Sequence, residues 1–313
     1  MADSIKIPDG WNARNIPNQS GKHILITGGT SGLGMESAKA LVSAGAQVTI
    51  TARTERKGKE AAKKIGTGVQ VLELELADLA SVRAAASRVL VLPYNFDVVL
   101  LNAGVMIPPF THTLDGFELQ MGTNHLGHFA FAGLIAPKIH GRVVAVASQA
   151  HRMGSFGDGT FDEIESKCLG EGQYSRWGAY GASKLANLLF IAELERRRLV
   201  HHWPIIPIAA HPGWSHTNLF AAHTETFSDR IKSFATSKIA QSAQQGALPS
   251  LAAATFPGLL GNSYVGPRGI GEMRGTPRLV RARSLAYDQS LGANLWAVSE
   301  KLTGVSWENS LHA

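Results

Sequence analysis

The chain has 313 residues, of which 44% are hydrophobic, so it can bury a sizeable core and is not expected to be disordered as a whole. Its one cysteine, Cys168, excludes an intramolecular disulfide, which fits a reducing compartment. The net charge of +6 would suit nucleic acid or anionic membranes. However, the arginines cluster at the end of a predicted helix (196–198) and in a Gly/Pro-containing stretch (268–283). We predict that they are solvated and that nucleic acid is not a partner.

No apolar run in the sequence is long enough for a membrane span. The two most apolar segments, 126–139 and 248–260, are broken by histidine or proline. The first residues, among them Asp3, Lys6 and Asp9, lack the apolar core of a signal peptide. These features predict a soluble, cytoplasmic protein without a membrane span.

Short apolar runs alternate with segments of helical period along most of the chain. Seven runs have the composition of strands: 23–27, 47–51, 69–74, 97–101, 142–147, 204–209 and 262–266. Because most are continuously apolar, both faces of the sheet should be covered by helices. The alternation indicates βαβ units, so we predict the α/β class: a single doubly wound Rossmann-fold domain with a seven-stranded, mostly parallel sheet. We place an extension at 1–20, the domain at 21–267 and a tail at 268–313, packed on or near the domain.

A glycine-rich turn follows the first predicted strand and precedes a helical segment. It reads TGGTSGLG at 27–34. Glycines at 28, 32 and 34 let the backbone turn tightly and bring a helix N-terminus close to an anion. Pyrophosphate is the usual guest at this place in such a fold, so we predict a dinucleotide site. An ordinary strand–helix turn is the alternative.

Arg53 follows the second predicted strand, where a site that prefers NAD usually has an acidic residue for the ribose 2′-hydroxyl. No Asp or Glu occurs between Val48 and Thr54. An arginine can bind a 2′-phosphate through paired, charge-assisted hydrogen bonds. The sequence therefore predicts NADP, with NAD as the less favoured cofactor. A strand-end arginine at the surface is the alternative role for Arg53.

Tyr180 and Lys184 lie four residues apart and should share one face of a helix. A free phenol has a pKa of roughly 10, and an adjacent ammonium lowers it. The pair could then donate and accept a proton near neutral pH, as alcohol–ketone chemistry requires. Taken alone, the spacing is also typical of an amphipathic helix edge with a solvated lysine.

In chain order, these motifs resemble the short-chain dehydrogenase/reductase family over about residues 21–266. TGGTSGLG matches its glycine turn, LNAG at 101–104 matches its NNAG motif with a leucine in first place, and Tyr180 with Lys184 matches YxxxK. More narrowly, NHLGHF at 124–129, AYGASKLAN at 179–187 and HPGWSHTNL at 211–219 resemble the branch of retinol dehydrogenases and protochlorophyllide-reductase-like enzymes. The apolar anchor of the membrane-bound retinol dehydrogenases is not seen.

The resemblance implies hydride transfer between a nicotinamide and a carbonyl or alcohol carbon. Tyr180 would be the general acid/base, and Lys184 would lower its pKa and hold the nicotinamide ribose. Ser148 would hydrogen-bond the reacting oxygen, and Asn124 would hold a water that links Lys184 to solvent. The implied cofactor contacts are Gly28, Thr30, Ser31, Gly32, Leu33, Gly34, Arg53, Asp78, Leu79, Asn102, Ala103, Gly104, Tyr180, Lys184, Pro212, Gly213 and Thr217. No metal site is expected, since the histidines at 125, 128, 151 and 211 flank different elements.

The substrate side is less sharply defined. Aromatic residues occur in the glycine-rich segment before Tyr180 and after Pro212-Gly213: Phe156, Phe161, Tyr174, Trp177, Trp214, Phe220 and Phe227. They indicate either a bulky, apolar carbonyl or alcohol substrate or simple anchors for long loops. The apolar helix face at Leu185, Leu188, Leu189 and Ala192 fits either the core or a homodimer interface. A non-catalytic NADP-binding sensor or scaffold is the alternative function.

Overall fold

The computed structural model describes residues 5–214 and 241–312. Within these residues, eight strands form one sheet in the order β3-β2-β1-β4-β5-β6-β7-β8. The strands are β1 (His23–Ile26), β2 (Gln47–Ala52), β3 (Val69–Glu73), β4 (Phe96–Leu101), β5 (Ile139–Val146), β6 (Ile206–Ala210), β7 (Ser263–Pro267) and β8 (Pro277–Leu279). Every pairing is parallel except the antiparallel β7–β8 pair. The predicted fold class is confirmed.

One strand more is present than the seven we predicted. The additional strand, β8, has three residues, begins at Pro277 and pairs with β7 at the edge of the sheet. A proline cannot donate to a ladder and is tolerated at an edge. A run this short carries no readable period, so the sequence pattern could not predict it.

Helices cover both faces of the sheet. They are α1 (Gly32–Ser43), α2 (Glu55–Ile65), α3 (Leu79–Leu90), α4 (Leu119–Met121), α5 (Gly127–Leu134), α6 (Phe161–Leu169), α7 (Arg176–His201), α8 (Ala243–Gly246), α9 (Leu248–Thr255), α10 (Gln289–Thr303) and α11 (Trp307–His312). Alternate strand residues enter the two cores: Leu25 and Val99 pack on the α3, α5 and α7 side, while Ile24 and Val98 pack on the α1 and α9 side. This alternation follows from the period of two in a strand.

The segment that we predicted as a tail, 268–313, contains helices α10 and α11 after β8. Helix α10 packs against α7 and α6, and its Trp296 stacks on Phe190 with ring centroids 5.9 Å apart. Trp307 of α11 is fully buried beside them. The C-terminal segment therefore completes the core on one face of the sheet. On the other face, Ile7 and Trp11 of the N-terminal extension are buried.

Helix α7 is buried along most of its length. Leu185, Leu188 and Leu189 lie in the chain's own core, so this face supports the core interpretation of the apolar pattern. A homodimer stays a prediction. In the described ranges, 5–214 and 241–312, no helix has both the length and the apolar character to cross a bilayer.

Candidate active site

A cleft of about 760 Å³ opens at the carboxyl ends of the parallel strands. The chain order of the strands reverses between β1 and β4, and ligands of open α/β sheets bind at such a switch point. Most of the predicted site residues line this cleft: Gly28, Thr30, Ser31, Gly32, Leu33, Gly34, Arg53, Asn102, Ala103, Gly104, Ser148, Tyr180, Lys184, Pro212 and Gly213. Thr217 lies outside the described residues, as do Phe220 and Phe227.

The turn between β1 and α1 is shaped to receive a phosphate. Gly28 and Gly32 adopt positive φ angles of 67° and 54°, a region that side chains disfavour. A Cβ on Gly34 would lie 2.5 Å from Asn102 Nδ2 and would also meet the Gly28 carbonyl. Ser31 makes no side-chain cap on α1, so the positive end of the helix faces the cleft. These residues fit the pyrophosphate of a dinucleotide.

Thr27 joins this turn to the segment after β4. Its Oγ1 accepts hydrogen bonds from the backbone N–H groups of Asn102 (2.9 Å) and Ala103 (3.0 Å). The Asn102 side chain in turn donates to the Thr27 carbonyl at 2.9 Å. Leu101, which replaces the first asparagine of the family motif, is buried in the core. The segment is thus held in place without that asparagine.

Asp78 and Leu79, two of the implied cofactor contacts, are not among the residues that line the cleft. Asp78 caps α3, its Oδ1 accepting from the Ala80 N–H at 2.9 Å, and the Leu79 N–H donates to Asp115 at 2.9 Å. The cleft is instead lined by Leu74, Glu75 and Leu76, directly after β3. The chain crosses the cleft immediately after the strand and leaves it before the helix begins. Cofactor contact by Asp78 and Leu79 stays a prediction.

Arg53 lines the cleft where β2 ends. Its side chain is 69% exposed, and its Nε is 3.5 Å from a carboxylate oxygen of Glu75. An exposed ion pair of this length is weak and leaves the guanidinium available to another anion. Glu75, which the sequence analysis did not single out, is therefore the acidic neighbour of Arg53 in the cleft.

Ser148, Tyr180 and Lys184 converge at the other end of the cleft. The Ser148 and Tyr180 side chains are hydrogen-bonded to each other. Lys184 Nζ lies 5.7 Å from the centre of the Tyr180 ring and donates to the Val146 carbonyl at 3.0 Å. Both side chains on α7 are buried, Tyr180 at 7% and Lys184 at 4% exposure. The spacing of four residues on one helix face produced this pair as predicted.

The pKa of Tyr180 is shifted opposite to the direction that the spacing predicted. Burial raises the pKa of Tyr180 to about 12, and the Ser148 hydrogen bond only partly opposes it. Burial also lowers the pKa of Lys184 to about 8. The prediction failed because the ammonium is itself desolvated and points to the Val146 carbonyl. Tyr180 therefore carries its proton at neutral pH, ready to donate it, and Lys184 titrates close to neutrality.

Asn124 is buried behind this group and does not line the cleft. It lies on the π-helical turn Gly122–Leu126, a feature that often marks functional sites. Its side chain accepts from the Val105 N–H (2.8 Å) and donates to the Val105 carbonyl and to Ser183 Oγ (3.0 Å). Asn124 thus ties the segment after β4 to α7 beside Lys184. The water-holding role stays a prediction.

Four histidines singled out in the sequence are buried in separate hydrogen-bonded places. His125 contacts Ser299, and burial lowers its pKa to about 3. His128 joins Thr27 Oγ1 to the Asn124 carbonyl, and burial lowers its pKa to about 4. His151 contacts the Ser148 carbonyl, and His211 contacts Glu272. Along 5–214 and 241–312, no group of three or more His, Cys, Asp or Glu side chains could hold a metal ion.

The substrate end of the cleft combines apolar side chains with a polar group that sequence reasoning missed. Met106, Met153, Trp177 and Met273 line it. Among the other predicted aromatics, Phe156 is in the core and Tyr174 donates to Glu118, so these two are loop anchors. The lining residues that sequence reasoning missed include the three methionines and Gln149, Arg152, Gly271 and Glu272. The one signal for Glu272 was its position as the sole acidic residue in the glycine-containing stretch 268–287.

Comparison with known proteins agrees with this geometry. The family described as short chain dehydrogenase matches residues 22–161. Human retinol dehydrogenase 12 is 36% identical over 98% of this chain and 95% of its own length. A short-chain dehydrogenase/reductase of Armillaria gallica is 33% identical over 91% of each chain. The crystal structure of an uncharacterized protein from Mycobacterium paratuberculosis is 39% identical, with a TM-score of 0.80 over 95% of this chain and 99% of that one. The chain therefore belongs to the short-chain dehydrogenase/reductase family.

Proposed function

We propose that this protein is an NADP-dependent oxidoreductase that interconverts an apolar, bulky carbonyl compound and its alcohol, with Tyr180 as general acid/base. The observation that carries the proposal is the convergence of Ser148, Tyr180 and Lys184 in the same cleft as the glycine turn. Its relatives include proteins named retinol dehydrogenases, which supports an apolar alcohol or aldehyde as substrate.

The proposed roles follow from the positions of the side chains. A bound nicotinamide would supply or accept the hydride. Ser148 and Tyr180 would hydrogen-bond the substrate oxygen together, where negative charge develops during reduction. Tyr180, whose pKa of about 12 keeps it protonated, would give that oxygen its proton. Lys184, with a pKa of about 8, would stabilise the resulting phenolate and help to return the proton.

Tyr180→Phe tests the catalytic role directly. We expect the variant to lose at least about a hundredfold in turnover while NADPH still binds, since only the transferable proton is removed. The assay is a panel of alcohols and carbonyl compounds with both cofactors, read by nicotinamide absorbance. Tyr174→Phe is the matched control, because Tyr174 lies outside the cleft and donates to Glu118. Undiminished turnover of Tyr180→Phe would contradict the role.

Arg53 carries the preference for NADP in this proposal. It lines the adenosine end of the cleft, and the residues directly before it on β2 include no carboxylate. Arg53→Asp should shift the kcat/KM ratio from NADPH towards NADH by at least about tenfold. Arg56→Asp is the control, since Arg56 pairs with Glu60 on α2 and does not line the cleft. An unchanged ratio in Arg53→Asp would remove the basis for NADP.

The non-catalytic sensor or scaffold remains the competing function. It predicts tight NADPH binding together with no turnover anywhere on the panel. The intact group of Ser148, Tyr180 and Lys184 favours the enzyme, since a sensor has no need of a buried lysine beside a tyrosine.

A further inference from the structure

The loop between β7 and β8 forms one wall of the substrate end of the cleft. Its residues Gly271, Glu272 and Met273 line the cleft. The Trp214 N–H donates to the Met273 carbonyl at 2.7 Å, which fastens the loop to the Pro212-Gly213 turn. Gly213 has a φ of 68°, and a Cβ there would meet the Met273 carbonyl. The loop is therefore held at a defined distance from the reacting groups.

Glu272 presents a carboxylate to this part of the cleft. Its Oε2 accepts from His211 Nε2 at 2.9 Å and from the Gln149 side chain, which directly follows Ser148 in sequence. His211 Nδ1 accepts from the Gly213 N–H at 3.2 Å, so the ring proton lies on Nε2 and points to Glu272. Within 5–214 and 241–312 no residue donates a hydrogen bond to Glu272 Oε1. A carboxylate has room for further donors on that oxygen.

The backbone at this position is unusual. Gly271 and Glu272 have φ angles of 61° and 55°, and the left-handed region is uncommon for a residue such as glutamate. Gly266 leaves space for the His211 ring, which a Cβ there would meet. Conformations of this kind persist where the surroundings hold a side chain in place, and they cluster at functional sites.

We propose that Glu272 determines substrate specificity by accepting a hydrogen bond on Oε1 from a hydroxyl or ammonium group that the substrate carries on the apolar group attached to its reacting carbon. This inference rests on the proposed oxidoreductase function and narrows its substrate to an apolar carbonyl or alcohol with a second, donor group. Hydrogen bonds to a charged acceptor in a partly desolvated cleft discriminate strongly against a partner that lacks the donor.

Two further charges bear on this site. Burial alone would raise the pKa of Glu272, but the hydrogen bond from His211, together with the charges of Arg152 and Arg278, leaves that pKa below its usual value. The carboxylate is therefore ionised at neutral pH. Arg152 Nε donates to Gln149 Oε1 at 2.8 Å, and its exposed guanidinium is the competing contact for an anionic substituent.

The test uses acetophenones that carry methyl, hydroxymethyl, aminomethyl or carboxylate at position 3 or 4, with kcat/KM measured in the presence of NADPH. At ring position 3 or at ring position 4, we expect kcat/KM for the hydroxymethyl or aminomethyl compound to exceed that for the methyl compound by at least about tenfold. Glu272→Gln should remove most of the aminomethyl advantage and change the methyl compound by less than about twofold. Glu272→Asp, which keeps the charge, should retain part of that advantage. Ile270→Ser is the control, since Ile270 is 92% exposed on the same loop.

An advantage that survives in Glu272→Gln, or none in the wild type at either position, would overturn the inference. The inference would also be overturned if the wild type preferred the carboxylate compound and Arg152→Gln abolished that preference. Calorimetric binding of the same series to the NADPH complex gives a second readout, in which the same order of affinities is expected. Absence of turnover for every compound, with that order of affinities intact, would count against the proposed function and leave Glu272 as a recognition residue.

Discussion

Replacing Lys184 with methionine should make the protein more stable and inactive. Lys184 is 4% exposed, and burial lowers its pKa from 10.5 to about 8. A shift of this size corresponds to ~3 kcal/mol of unfavourable free energy for the charged form in the folded state at pH 7. The ammonium group is thus retained at the expense of stability, as expected of a functional residue.

The hydrogen bond that the substitution removes offsets little of this gain. Val146 O accepts from Lys184 Nζ at 3.0 Å and from Asn187 Nδ2 at 3.1 Å, so it keeps a partner in the variant. Methionine nearly matches the lysine stem in volume and leaves no large cavity. Allowing ~1 kcal/mol for the lost hydrogen bond, we expect the free energy of unfolding of Lys184→Met to exceed that of wild type by ~2 kcal/mol at pH 7.

The pH dependence identifies the cause. Between the folded pKa of about 8 and the unfolded value of 10.5, the unfolded state binds more protons, so the wild type gains stability as pH rises. The difference in free energy of unfolding between wild type and Lys184→Met, measured with urea, should therefore be largest at pH 7 and should decrease towards pH 10. Lys301→Met is the control, since Lys301 is 56% exposed and pairs with Glu165. The reasoning would be refuted if Lys184→Met were less stable than wild type, or if the difference in free energy of unfolding did not change with pH.

Two further substitutions test the cofactor end of the cleft. Gly34→Val should abolish NADPH binding, measured by calorimetry, because its side chain would enter the space beside Asn102 and the Gly28 carbonyl. The circular dichroism spectrum should be unchanged. Binding within threefold of wild type would contradict the assignment of the glycine turn as the phosphate site. Asp78→Ala should lower the free energy of unfolding by about 1 kcal/mol through loss of the α3 cap and leave NADPH affinity within twofold. A tenfold loss of NADPH affinity would instead support Asp78 as a cofactor contact.

Much of the architecture could be predicted from the sequence because its signals are local. Continuous apolar runs spaced by helical segments require a sheet covered on both faces, and the strand bounds agree with these runs to within a few residues. The glycines at 28, 32 and 34 and the spacing of Tyr180 and Lys184 are also local patterns, and the cleft brings both sets together. By contrast, the three-residue β8 and the packing of α10 on α7 depend on partners far along the chain.

What the sequence by itself determined was the fold class, the family and many of the residues that line the cleft, because periodicity and motif spacing encode these directly. Only the tertiary structure decided that Glu75 rather than Asp78 lines the cleft, since this depends on where the chain leaves the cleft after β3. It also decided that the pKa of Tyr180 rises, because desolvation depends on what surrounds a side chain and not on its neighbour four residues away. Glu272 reaches His211 from 61 residues along the chain, a contact that packing creates and that no local pattern contains.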